Sequence, residues 1–212
     1  FEVAAREVPQ AAPYRLCMLT DRGYLRYRNG VIGGAAMDLI RARELATEQH
    51  AERWRIEAGN TLSMVYSRSG FHAEAGVLAS EALRYYDAQQ DPVHLAEAYF
   101  VRGDVELHED DYTAAAADFV RARDLSDRSA QVVDGFFARQ RLCRSLVKLR
   151  RGAEAQAVCA DAYTRAIALQ DNESAKLVLA SQGALELQAG HFTAARALLD
   201  RALANDGFEI AK

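Results

Sequence analysis

Residues 96–122 read AEAYFVRGDVELHEDDYTAAAADFVRA, and this stretch decides the fold. Leu95, Tyr99, Val101 and Val105 form one amphipathic run at helical spacing. The acidic break Glu109-Asp110-Asp111 interrupts it, and Phe119, Ala122 and Leu125 continue a second run. The stretch therefore predicts a helix, a short turn and a second helix.

In steps of 40 residues outward from this stretch the same pattern returns. One column is Ala35, Ala75, Ala115, Ala155 and Ala195; another is Ala42, Ala82, Ala122, Ala162 and Ala202. Gly23, Ser63, Gly103, Cys143 and Gly183 form a column that is small throughout. Leu39, Ala79, Phe119, Cys159 and Leu199 form one that is apolar or small. Small residues at fixed positions mark places where two helix backbones approach too closely for a large side chain. Gly30, Gly70 and Gly190 share a further column, with Asp110 in the third unit and the glycine displaced to Gly152 in the fourth. Pro9, Pro13 and Pro92 are expected between units, where helices start or stop, and Asp91-Pro92 reads as an N-cap followed by the first helical residue.

A helix hairpin cannot bury its own apolar face, so the units must stack. The predicted fold is all-α, a right-handed α-solenoid of helix-turn-helix units. The units are placed at 16–55, 56–95, 96–135, 136–175 and 176–212 in one continuous domain, with 1–15 as the tail of a preceding helix plus a linker.

The chain resembles the tetratricopeptide-repeat (TPR) family. The third unit carries the likeness best, with Tyr99, Gly103, Tyr112, Ala115, Phe119 and Ala122; the fifth repeats it with Leu179, Gly183, Gly190, Phe192, Ala195, Leu199 and Ala202. The likeness covers about Leu16 to Asn205. The period of 40 exceeds the family's usual length of about 34 residues, and the second and fourth units lack the first glycine. Long-period arrays of this kind resemble those in bacterial signalling proteins, attached to transcription regulators or diguanylate cyclases.

Composition sets outer bounds. The 212 residues carry 26 Lys and Arg against 30 Asp and Glu, a net charge of -4, and half are apolar. That balance suits a folded chain and excludes a disordered or collagen-like one. A slightly acidic chain has no general attraction for nucleic acid or anionic lipid, and nothing approaches 18 consecutive apolar residues, so no membrane insertion is expected. The chain begins at Phe1 without signal-peptide features and reads as an excised piece of a longer protein. Its three cysteines fit neither a disulfide framework nor a zinc spacing and suit a reducing compartment; cytoplasmic placement is expected, with the periplasm left open. Cys143 and Cys159 come within disulfide reach if the compartment oxidises, but the preferred reading is two small buried thiols.

Catalytic signatures are missing. There is no Walker loop, zincin motif or dinucleotide fingerprint. Gly30-Val31-Ile32-Gly33-Gly34 reads as a turn, not a phosphate cradle, and His108-Glu109-Asp110-Asp111 as a solvated inter-helix turn, with His72 and His191 in equivalent turns. The expectation is no enzyme, no metal and no cofactor.

In TPR arrays the first helix of each unit lines a concave groove that takes extended or helical peptides. The resemblance thus implies groove residues Tyr24, Tyr27, Arg28, Asn60, Met64, Arg68, Phe100, His108, Phe137, Arg141, Arg144 and Lys148. The column Arg28, Arg68, His108, Lys148, Gln188 is mostly basic. The strongest local feature is the run from Arg139 to Arg151, with Arg139, Arg141, Arg144, Lys148, Arg150 and Arg151 and no acid; Arg141, Arg144, Lys148 and Arg151 recur at helical spacing. The expected partner is a protein or peptide of acidic character, with self-association through the solenoid ends as a further expectation. The alternatives are a nucleic-acid-binding solenoid using the basic run, which the net charge opposes, and a small-molecule sensor with a pocket lined by Tyr24, Tyr27 and Met64.

Overall fold

The computed structural model describes residues 12–204. These form ten α-helices: α1 (Ala12–Arg28), α2 (Ile32–Glu48), α3 (Glu52–Arg68), α4 (His72–Ala88), α5 (Pro92–His108), α6 (Tyr112–Arg128), α7 (Val132–Lys148), α8 (Gly152–Ala168), α9 (Asn172–Gln188) and α10 (Phe192–Leu203). The residues 1–11 and 205–212, read above as part of a preceding tail and as the end of the fifth unit, lie outside the described residues.

Helices α1 to α9 are each 17 residues long, and consecutive helices are separated by three residues. Each connector ends one helix and starts the next. In the first, the Val31 amide donates to the Arg26 carbonyl and the Gly30 amide to Tyr27, the pairing of a Schellman C-cap. The middle residue must then take a left-handed backbone, and Gly30, Gly70 and Gly190 do so at φ 77–84. His50, Gln90, Asp110, Ala130, Arg150 and Gln170 adopt it with a side chain attached, at φ 52–60. The glycine expected to move to Gly152 in the fourth unit does not serve the turn. Gly152 is the first residue of α8, and Arg150 takes the positive φ. The third connector residue also caps the next helix: Asp91, Asp111 and Asp171 accept from the amides of His94, Ala114 and Ser174. Pro92 is the first residue of α5, as expected. Ala130→Gly is expected to stabilise the protein by about 0.5–1 kcal/mol, because it removes a Cβ from a left-handed position; a urea midpoint that falls instead would contradict this.

The helix pairs run 12–48, 52–88, 92–128, 132–168 and 172–203, so the unit starts placed at 16, 56, 96, 136 and 176 fall one turn into the first helix of each pair. The offset has a physical cause. Leu16, Ile56, Ala96 and Phe136 are the first buried apolar side chains of their helices, and apolar periodicity cannot register the solvated turn ahead of them. Residues 12–15 accordingly belong to α1 and not to a linker.

The chain divides into two compact units, Phe1–Glu109 and Asp110–Lys212. Unit 1 contains α1–α5, with a core that includes Leu16, Leu39, Leu62, Val65 and Leu78, and a second cluster around Ile56, Leu83 and Tyr86. Unit 2 contains α6–α10, with Phe136, Ala166 and Ala175 at its centre. The alanine columns are fully buried except at Ala202, which is partly exposed in α10. In both units a small residue on one helix receives a larger one from the next. A Cβ on Gly23 would stand 2.6 Å from Leu39 Cγ, and one on Gly183 would stand 2.8 Å from Leu199 Cγ.

The fourth helix pair solves the same crossing covalently. Cys143 and Cys159, expected as free buried thiols, form a disulfide with Cα atoms 4.9 Å apart. They occupy the two columns that hold Gly23 and Leu39 in the first pair. The close approach which elsewhere demands a glycine brings two facing cysteines into bonding range.

Candidate functional site

Within each unit the first helices of the pairs lie side by side: α1 against α3 and α3 against α5 in unit 1, and α7 against α9 in unit 2. The second helices pack less closely among the described residues: α2 and α4 meet through the long side chains of Arg43 and Glu81 at 3.3 Å, and α8 and α10 through Arg201 and Tyr163 Oη at 2.9 Å. Neighbours that pack closely on one side and less closely on the other leave the first helices lining the inner face of each unit.

In unit 1 the inner face is largely occupied by its own contacts. The Arg28 guanidinium donates to Tyr24 Oη at 3.0 Å, and Arg68 on α3 lies 5.7 Å from the centre of the Tyr27 ring on α1. His108 Nδ1 lies 2.6 Å from the Asp104 carbonyl and 3.3 Å from Ser67 Oγ on α3, and its ring stacks on His72. Met64 and Phe100 are half-buried, while Asn60 is buried and its Oδ1 has no hydrogen-bond partner.

These contacts account for the basic column. Arg28, Arg68, His108, Lys148 and Gln188 are the last residues of their helices, where positive charge meets the negative end of the helix dipole. Arg68, His108 and Gln188 each reach the preceding inner helix, and His108 and Gln188 do so at a residue 41 positions earlier, Gln188 Nε2 donating to the Val147 carbonyl at 3.0 Å. The column stitches neighbouring helices together as well as facing outward.

In unit 2 the basic run separates into three fates. Arg139 is buried: Nε donates to Asp161 at 2.6 Å, and the two terminal nitrogens donate to Asp127 at 2.6 and 3.0 Å, clamping α7 between α6 and α8. Arg150 and Arg151 sit in the connector, where Arg151 pairs with Glu154. Sequence reading placed Arg151 on the face of Arg141, but α7 ends at Lys148 and the turn redirects it. Only Arg141, Arg144 and Lys148 reach the inner face. There they line a cleft of about 270 Å³ between α7 and α9 with Gln140, Val147, Leu177, Ala180, Ser181 and Ala184. Leu177 is 58% exposed, and Lys148 lies over the Tyr112 ring at 5.8 Å. Phe137, expected in the groove, packs against the Phe136–Ala166–Ala175 cluster and is half-buried. Val147 and Ser181 carry no feature that would single them out in the sequence; they line the cleft because they stand one turn along the same helix face from Arg144 and Leu177.

The Arg139 clamp makes a pH prediction. Hydrogen bonds from Arg139 hold the Asp127 carboxyl below the ordinary aspartate range. A depressed carboxyl contributes stability that is present above its unfolded value near 3.8 and is lost as pH falls through the lower folded value. Wild-type unit 2 should therefore lose more stability between pH 6 and 3 than Asp127→Asn. Urea midpoints at the two pH values check this, and equal losses would refute it.

Among the described residues no group of three or more His, Cys, Asp or Glu side chains converges as a metal site would. No helix there is long and apolar enough to cross a membrane.

No protein-family model matches the chain, and no curated protein matches it. Solved structures do. BtubC (BKLC) from P. vanneervenii is similar over 95% of this chain and 83% of its own, with 17% identity and a TM-score of 0.77. The TPR-like repeats of a putative kinesin light chain from Podosopora anserina are similar over 90% of this chain and 94% of their own, at 13% identity and a TM-score of 0.70. MamA MSR-1 C2 matches over 89% and 94%, at 21% identity and a TM-score of 0.56. The fold is that of TPR-like helical-repeat solenoids.

Proposed function

We propose that this TPR-like chain is a non-catalytic protein-interaction scaffold, and that the inner face of unit 2 takes an acidic peptide segment. The observation that carries the reading is the α7–α9 cleft, where Arg141, Arg144 and Lys148 stand beside an exposed Leu177. Complementary charge supplies on-rate and register, and an apolar side chain seated over Leu177, Ala180 and Ala184 supplies affinity. The TPR-like likenesses support a scaffold role. By the same resemblance, the chain is the sensory or docking module of a larger bacterial regulatory protein, with an output domain such as a diguanylate cyclase or transcription regulator. The cytoplasmic placement expected from the sparse cysteines sits poorly with the Cys143–Cys159 bond, which favours an oxidising compartment such as the periplasm.

Selection of a random dodecapeptide library on the immobilised chain tests the reading. Wild type should enrich acidic sequences carrying an aliphatic or aromatic residue. A variant with Arg141, Arg144 and Lys148 all changed to Glu should lose that enrichment by about tenfold or more. If both baits enrich the same sequences, the cleft is not the binding site.

A further inference from the structure

We propose that the Cys143–Cys159 disulfide is a redox lock on α7, and thereby on the cleft that α7 shares with α9. The consequence for peptide binding rests on the function proposed above; the lock itself does not.

The first observation is where the bond lies. Both cysteines are fully buried at the α7–α8 crossing. Cys143 stands between Arg141 and Arg144, and Val147 and Lys148 follow within about a turn and a half, so the helix that the bond fixes is the one that carries the cations of the cleft.

The second is that other pairs hold the same crossing without a bond. Leu39 fills the space over Gly23, and Leu199 fills that over Gly183. In the second pair Ser63 Oγ donates across to the Ala75 carbonyl at 2.8 Å. The fourth pair has two small side chains facing each other and no large one, so the covalent bond takes the place of packing. Its loss leaves α7 held by the core packing of Phe136, by the Arg139 clamp and by the bonds from Gln188 to Val147 and from Gln140 to Ser174. The dependence on redox state is thus confined to one helix pair, and that pair carries the basic cleft.

Opening the lock is a thiol–disulfide exchange with a dithiol reductant. Its thiolate attacks one cysteine sulfur, forms a mixed disulfide and releases the other cysteine, which takes a proton. The reductant's second thiol then displaces the remaining cysteine and leaves as a disulfide. Two electrons and two protons pass to the cysteine pair. Because both sulfurs are buried, attack waits on local separation of α7 from α8. Reduction of the folded chain is therefore slow and is gated by that opening.

The test uses the whole 212-residue chain purified without reductant. Denaturation and alkylation should modify Cys17 alone. Dithiothreitol treatment should then speed amide hydrogen exchange over residues 140–149 by about tenfold or more. It should also weaken binding of a fluorescein-labelled hexaglutamate probe by about threefold or more. A variant combining Cys143→Gly with Cys159→Leu, copied from Gly183 and Leu199, should exchange like the oxidised form and ignore dithiothreitol. The lock is overturned if all three cysteines alkylate in never-reduced protein, if reduction leaves exchange in α7 unchanged, or if the double variant also responds to reductant. Should the exchange respond while hexaglutamate binds neither form, the acidic-peptide reading fails and the lock stands.

Discussion

Gly23→Val is expected to destabilise unit 1 by about 3 kcal/mol, although valine is the better helix former. The new Cβ would stand 2.6 Å from Leu39 Cγ and 2.9 Å from Cδ2, closer than such atoms pack. Leu39 is fully buried among Leu16, Leu19 and Leu62 and has no room to swing aside, so α1 and α2 must separate. Leu39→Ala alone should cost a comparable amount, about 2–5 kcal/mol, by opening a cavity. The two changes together reverse the sizes of the pair and should recover much of the loss. A double-mutant cycle from urea unfolding should therefore show a favourable coupling above about 1 kcal/mol. Simple additivity would mean that the Gly23–Leu39 crossing does not set the approach of α1 and α2.

Reduction of Cys143–Cys159 is expected to cost unit 2 about 3 kcal/mol, because the bond closes a loop with a sequence separation of 16. For a unit of this size that corresponds to a melting transition lower by about 10 °C or more. Calorimetry with and without a phosphine reductant measures it directly. The combined Cys143→Gly and Cys159→Leu variant should melt between the two states, since a leucine over a glycine restores packing but not the restriction on the unfolded chain. An oxidised and a reduced protein with the same transition would show that the bond contributes nothing to stability.

The period and the packing columns were legible because they are backbone constraints. A helix crossing that excludes a side chain leaves a small residue in the sequence each time it occurs, as at Gly23, Ser63 and Gly183. The left-handed turn residue was only partly legible: Gly30, Gly70 and Gly190 announce it, but His50, Gln90, Ala130 and Arg150 adopt the same backbone without a distinguishing side chain. The basic run misled for a different reason. Charges along one helix are visible in sequence, whereas Asp127 and Asp161, which draw Arg139 into the interior, come from the helices before and after it. Arg144 and Lys148 stay on the inner face because the same turn of α9 offers them Ala180, Ser181 and Ala184 and no acid. The cysteine pair was readable in principle. Position 143 falls in the column of closest approach and position 159 in the column facing it, so their separation follows from Gly23 and Leu39 before any coordinates are known.

The uniform length of the helices fixes the size of message the cleft can accept. Seventeen residues of α-helix extend about 25 Å, and a strand laid along that length covers about seven or eight residues. The cations of the cleft stand in the second half of α7, from Arg141 to Lys148, a length that an extended ligand would cross in about four residues. Under the function proposed above, such a reader would score a short word, two acidic letters and one apolar, and vocabulary of that length recurs often by chance in any proteome. Selectivity for one protein among many then has to come from reading two words at once, which makes a second contact elsewhere on the same ligand a requirement of faithful recognition.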